Sequence, residues 1–123
     1  MGPVESAIRE SIRAGENLKT PAQEKSFTVE TIDDKGVVLL LGRKQTRTPF
    51  SWEALEGVRN EFANSGWIAI GGDRNAQGNP GTLDGYVKQV MKRDTAGWVA
   101  ALLEAAGIVE LDRSRPGRLR VIG

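Results

Sequence analysis

The sequence contains neither cysteine nor histidine among its 123 residues. Without cysteine the chain can form no disulfide bond and no cysteine-ligated zinc site. The absence of cysteine does not determine the cellular compartment, but it fits an intracellular location best. Without histidine it lacks the side chain that serves most often as a general base. No spacing of carboxylates, serines or lysines suggests another chemistry. We therefore expect a protein that is not an enzyme and has no cofactor and no bound metal.

Long hydrophobic runs are also missing. The longest, Val37–Leu41, has the length of a strand, whereas a membrane-spanning helix needs about 20 apolar residues. The first ten residues include Glu5, Arg9 and Glu10 and no apolar stretch, so they do not resemble a secretory signal. The sequence therefore predicts a cytoplasmic protein with no membrane partner.

Aromatic residues are few, at 6% of the chain, but the hydrophobic fraction of 39% is that of an ordinary soluble globular protein. Trp52, Trp67 and Trp98 are expected to anchor the core. The length suits a single compact domain over 1–123, and two lobes over 1–70 and 82–123 are the alternative.

The charge is nearly balanced over the whole chain but not at its end. The formal net charge is +1, and residues 113–123 contain four arginines and no acidic residue. Such a basic segment on a near-neutral body is typical of a local contact surface for a polyanion. The alternatives are a solvated hairpin whose charges keep an edge strand soluble and a surface for an acidic protein.

Hydrophobic periodicity predicts the elements of the first 70 residues. They are a helix over 4–14, a hairpin of strands over 27–32 and 37–41, a helix from 52 to near 66, and a strand over 67–70. Gly36 is expected to adopt a positive φ in the hairpin turn, and Ser51 to cap the second helix. Residues 18–25 are expected to be a connector, and 43–48 either a strand or a loop.

The last 42 residues predict two helices and a second hairpin. Thr82 is expected to cap a helix over 83–93, and Asp94 or Thr95 a helix over 96–106. Gly107 followed by an apolar residue predicts a Schellman ending. Strands over 108–111 and 119–122 then flank a turn over 113–117. The predicted fold class is α+β: an N-terminal helix with a hairpin, helix and strand, joined to this C-terminal unit.

The sequence Ala-Gly-Ile-Val-Glu at 106–110, after two helices and before a basic turn, resembles the end of a winged-helix DNA-binding domain. The resemblance covers about the last 40 residues. It implies that the second helix lies in the major groove of duplex DNA and that the hairpin, or wing, reaches along the backbone or into the minor groove. The implied function is DNA binding by a regulator or an accessory factor of DNA processing or defence.

The candidate DNA contacts are mainly cationic, because arginine and lysine bind phosphate oxygens. The predicted residues are Arg113, Arg115, Arg118 and Arg120 in the wing, Lys88, Lys92 and Arg93 before the second helix, Thr95 at its start, and Arg74, Asn75 and Gln77 in the loop 71–81. That loop is also open to a simpler interpretation as a connector.

The helix over 96–106 is poorly equipped to read bases. Its expected outward residues are Thr95, Ala96, Ala100, Ala101, Glu104 and Ala105. Base edges are read mostly by arginine, lysine, asparagine and glutamine, so the hypothesis gives the DNA contact to the wing arginines. The alternative is a protein-interaction or assembly module without DNA, in which the alanine-rich face packs against a partner or a second copy in a homodimer.

Overall fold

The computed structural model describes residues 2–20, 25–70, 82–91, 95–112 and 117–123. Within these ranges the fold is α+β, as predicted. The helices are α1 (Pro3–Ser11), α2 (Trp52–Phe62), α3 (Leu83–Met91) and α4 (Ala96–Ala105). The strands are β1 (Asn17–Lys19), β2 (Ser26–Ile32), β3 (Gly36–Leu41), β4 (Thr46–Ser51), β5 (Ile68–Ala69), β6 (Val109–Asp112) and β7 (Arg118–Val121).

Strands β1 to β4 form an antiparallel sheet in sequence order, which we call the N-terminal sheet. The apolar strand β3 lies inside it, as its composition predicts. Gly36 has a φ of +154°, and a side chain there would collide with the carbonyl of Phe50. Asp33 completes the turn, because its Oδ1 accepts hydrogen bonds from the backbone amides of Lys35 and Gly36.

Two stretches of this sheet differ from the sequence-based expectation. Residues 17–19 form the edge strand β1, paired with 26–28, and are not part of a connector. A strand with one apolar residue, Leu18, is too short to show alternation. The stretch 43–48 was expected to be either a strand or a loop, and it contains some of each. Residues 42–45 form a turn, and β4 begins at Thr46.

Helices α1 and α2 pack together and are joined by an unusual cap. The carboxylate of Glu56 in α2 accepts hydrogen bonds from the backbone amides of Val4 and Glu5, at 3.1 and 3.0 Å, so it satisfies donors that the first turn of α1 leaves free. The predicted cap of α2 is confirmed, because Ser51 Oγ accepts from the amide of Ala54. Both helices end earlier than expected, α1 at Ser11 rather than 14.

A second, three-stranded sheet has the order β5-β7-β6, and we call it the C-terminal sheet. The predicted helix cap and the predicted helix ending next to this sheet are confirmed. Thr82 Oγ1 accepts from the amide of Gly85 at the start of α3. Gly107, with a φ of +77°, ends α4 in a Schellman turn in which the amide of Ile108 donates to the carbonyl of Leu103. Thr95 precedes α4 without a side-chain cap bond, and the other candidate cap, Asp94, lies outside the described residues.

Helix α4 is buried, and the expectation that its alanine face points outward is wrong. Ala96, Ala100 and Ala101 are at most 5% exposed, and Thr95 is 4% exposed. The helix packs against α1, α3, β1 and β6. A helix that is apolar almost all round is buried on most sides, and alanine allows neighbouring elements to approach closely. Of the six residues expected to face outward, Ala105 is exposed and Glu104 is partly exposed.

The buried side chains form one hydrophobic cluster that extends from Val4 in α1 to Leu119 in β7. Both sheets and all four of the described helices contribute to it. None of the helices within the described ranges has the length and apolar character needed to cross a membrane.

Candidate nucleic-acid interface at the C-terminal hairpin

The outer face of the C-terminal sheet brings Trp67 beside two arginines of the predicted wing. Ile68 pairs with Leu119 and Ala69 with Arg118, so the register continues from Trp67 to Arg120. Leu119 is fully buried. Because side chains alternate along a strand, Arg118 and Arg120 point to the opposite, solvent-facing side of β7.

The two guanidinium groups lie over the indole ring. The Cζ atom of Arg120 is 4.8 Å from the ring centroid of Trp67, and that of Arg118 is 5.9 Å away. These are cation–π distances. Trp67 is 38% exposed, so the expectation that it anchors the core is wrong. Trp52, by contrast, is buried, and its Nε1 donates to the carbonyl of Asp33.

The same two arginines form ion pairs across the hairpin. Glu110 lies opposite Arg120 and Asp112 opposite Arg118 in the register of β6 and β7. The Nη2 atoms of the arginines are 2.8 and 2.6 Å from the respective carboxylate oxygens. Arg118 and Arg120 are therefore neutralised in place, although their side chains remain 50% and 43% exposed. Such exposed pairs contribute little to stability, about 0.2–1 kcal/mol each.

This pairing changes the charge that the hairpin presents. The four arginines of residues 113–123 are preceded by acidic residues at 110 and 112. Over residues 109–123 the four positive charges and two negative charges leave a net charge of +2. Arg113 and Arg115 lie outside the described residues.

Two of the remaining predicted contacts, Lys88 and Thr95, lie in the described ranges, and the side chain of each has another role there. Lys88 Nζ is bonded to Asp84, whose side chain is fully buried, at 3.0 Å. Thr95 is buried in the core, which removes its side chain from a DNA-facing position. The other predicted residues, Lys92, Arg93, Arg74, Asn75 and Gln77, and the whole loop 71–81, lie outside the described residues.

Sequence reasoning missed three members of this surface, namely Trp67, Glu110 and Asp112. The signal for the two acids was available, because a hairpin of the predicted strands places them opposite the arginines once its register is known. Trp67 had no such signal, because β5 pairs with a strand that follows it by about 50 residues.

The described residues contain no cluster of three or more side chains suited to holding a metal ion. Comparison with protein-family models, curated proteins and solved structures finds no match for this chain.

Proposed function

We propose that the protein binds duplex DNA through its C-terminal hairpin. The observation that carries the proposal is the stacking of Arg118 and Arg120 over the exposed ring of Trp67, and the sequence just before them contains two further arginines, Arg113 and Arg115. This surface combines cations with a fixed orientation and a flat aromatic group. Both are features of nucleic-acid contacts.

The stacked geometry favours contact with phosphates. A guanidinium group has five donors, so an arginine that is bonded to one carboxylate through Nη2 still has donors for a phosphate oxygen. Stacking also reduces the rotamer freedom that each side chain would lose on binding. Glu110 and Asp112 repel phosphates and compete for the arginines, so we expect weak binding that depends strongly on salt.

The order α3, α4, β6 and β7 supports the winged-helix resemblance, which is part of the proposal. The burial of α4 argues against the groove-reading role that the resemblance implies for it. The proposed contact is therefore with the backbone or the minor groove, and little intrinsic sequence specificity is expected. The alternative of a protein-interaction module relied on an exposed alanine face, and because that face is buried we do not propose it.

The test is fluorescence anisotropy with a labelled 20-base-pair duplex over a salt series starting at about 50 mM. Each arginine that contacts a phosphate should contribute about −0.9 to the slope of log K against log salt. We expect Arg113→Gln/Arg115→Gln to reduce the magnitude of the slope by about 1.8, and Arg118→Gln/Arg120→Gln to reduce it by less, because these two arginines are already paired.

The matched control is Arg13→Gln/Lys35→Gln, which removes the same charge from exposed positions outside the hairpin. The proposal fails if the wild-type protein does not bind the duplex at about 50 mM salt, where non-specific phosphate contacts are already strong. It also fails if both hairpin variants behave like the control.

A further inference from the structure

A second cationic surface lies at one end of the N-terminal sheet. We call it the basic end and define it by Lys19, Lys25, Arg43 and Lys44, all of which are exposed. They fall in two separate segments of the sequence, 19–25 and 43–44, and none of them belongs to the C-terminal hairpin.

The strand register places these residues together. Lys19 pairs with Ser26, so Lys19 and Lys25 lie where β1 ends and β2 begins. Thr28 pairs with Leu40, and Leu41 with Thr46, so the turn holding Arg43 and Lys44 leaves the sheet at the same end. With neighbouring strands about 4.8 Å apart, the ends of β1 and β2 and the ends of β3 and β4 are centred two strand spacings, roughly 10 Å, from each other.

Nearby carboxylates do not neutralise the basic end in the described part of the chain. No ion pair of its four cations occurs there, whereas the neighbouring Arg47 is bonded to Glu30 at 2.7 Å. Asp33 and Asp34 lie in the turn from β2 to β3, at the opposite end of the sheet. The sequence between β1 and β2 contains one acidic residue, Glu24. The four cations of the basic end and this acid together have a net charge of +3.

The start of helix α4 adds to this positive potential. Thr20, next to Lys19, approaches the first turn of α4, because a Cβ atom added to Gly97 would be 4.0 Å from the Thr20 side chain. That turn contains no acidic residue, and Thr95 makes no side-chain cap bond. The helix therefore directs the positive end of its dipole toward the same side of the molecule.

We propose that the basic end binds the phosphate backbone of duplex nucleic acid as a surface separate from the C-terminal hairpin. The separation of the two pairs of strand ends is comparable with the roughly 12 Å width of a major groove, so the four cations beside them can contact phosphates on both rims or along one strand. A membrane is a poorer match, because the large hydrophobic side chains exposed in the described ranges, Trp67, Val90 and Ile122, belong to other elements. This inference does not depend on the hairpin.

The test compares Lys19→Glu/Lys44→Glu with Arg13→Glu/Lys35→Glu in the full chain. Both pairs reverse two exposed cations, but the second pair lies outside the basic end, in the loop after α1 and in the turn from β2 to β3. Binding is measured by anisotropy with a labelled 20-base-pair duplex at about 50 mM salt, after circular dichroism has shown that each variant is folded. We expect the first pair to weaken binding at least tenfold more than the second, with a shallower salt slope.

Equal weakening by the two pairs would overturn the proposal, since it would show a response to net charge alone. Wild-type protein that binds vesicles with 30% phosphatidylserine, or poly-glutamate, more tightly than the duplex would overturn the assignment to nucleic acid. The hairpin variants are measured in the same series. A loss confined to Arg118→Gln/Arg120→Gln would support the hairpin and overturn the basic end, and a loss confined to Lys19→Glu/Lys44→Glu would do the reverse.

Discussion

Helix α4 and the hairpin that follows it are neighbours in the chain but differ in almost every physical respect. Ala100 and Leu102 in the helix are completely buried, whereas the side chains of Arg118 and Arg120 in the hairpin are about half exposed. The helix packs against at least four other elements. The hairpin presents one face to solvent. An element order that is typical of a DNA-binding unit therefore does not show which of its elements is free to bind.

The buried helix determines where the hairpin lies. The Schellman turn at Gly107 connects α4 directly to β6 through the hydrogen bond from Ile108 to Leu103. Since α4 is packed in the core, β6 leaves it in a defined direction, and β7 is held on its other side by β5. We infer that α4 supports the hairpin and does not share its surface.

The largest expected effect tests the burial of α4. Ala100→Lys places a charge in a fully buried position, and we expect a loss of more than about 3 kcal/mol in the free energy of unfolding. Ala105→Lys on the exposed side of the same helix should change it by less than about 0.5 kcal/mol. Urea unfolding followed by circular dichroism measures both. Similar small effects at the two positions would contradict the packing of α4.

The next effect tests the ion pairs of the hairpin. Glu110→Gln/Asp112→Asn removes the carboxylates that compete with phosphate, and we expect duplex affinity at about 50 mM salt to rise roughly tenfold. The control Glu5→Gln/Glu10→Gln makes the same charge change on α1. An equal gain in both variants, measured by anisotropy, would mean that the cross-strand pairing does not limit binding.

A smaller effect is expected from the indole ring beneath the arginines. Trp67→Ala removes both cation–π contacts, and we expect a stability loss of about 1 kcal/mol. Trp67→Phe retains an aromatic face and should lose less stability than Trp67→Ala. Urea unfolding distinguishes the two variants. Equal losses would show that the contacts between the arginines and the ring contribute nothing beyond the apolar area of the tryptophan.

The smallest effect is a difference between Tyr86 in helix α3 and the hairpin in their response to pH. Burial, and then the charges of Glu61 and Glu53, raise the pKa of Tyr86 above its ordinary value of 10.0. The stability associated with neutral Tyr86 is complete below pH 10, and it is lost as the pH rises through the folded-state pKa. Residues 109–123 contain neither tyrosine nor lysine, so the hairpin should respond to salt and not to pH in this range.

Absorbance at 295 nm can follow this ionisation directly, because Tyr86 is the only tyrosine of the chain. Tyr86→Phe should lose less stability between pH 9 and pH 11 than the wild-type protein. A tyrosine that ionises in the folded protein at or below its ordinary pKa would contradict the packing of Tyr86 in α3 against α2, where its ring meets that of Phe62 edge-on at 5.8 Å.

Features that depend on neighbours in sequence were predictable. The caps at Ser51 and Thr82 and the Schellman ending at Gly107 each involve hydrogen bonds within six residues, so local residue types are enough to indicate them. The positive φ of Gly36 belongs to the same group. The edge strand β1 was not predictable, because three residues carry too little pattern and its pairing with β2 supplies the order.

The faces of α4 were not predictable for a related reason. A helix composed mainly of alanine, leucine and valine, with Glu104 as its one charged residue, has no polar side to mark its solvent face. The interpretation that turned Ala96, Ala100 and Ala101 outward treated alanine as a surface residue. Packing against α1 and β1 buries those positions.

The amino-acid sequence alone determined the α+β class, the main helices and strands and the arginines at the end of the chain, because these follow from composition, periodicity and local hydrogen bonding. Only the tertiary structure decided which cations are paired. Arg118 and Arg120 face carboxylates across one hairpin, while the lysines and the arginine of the basic end have no partner among the described residues. The physical reason is register: the pairing of strands sets the distance between charges, and that distance determines whether a cation is available to a ligand.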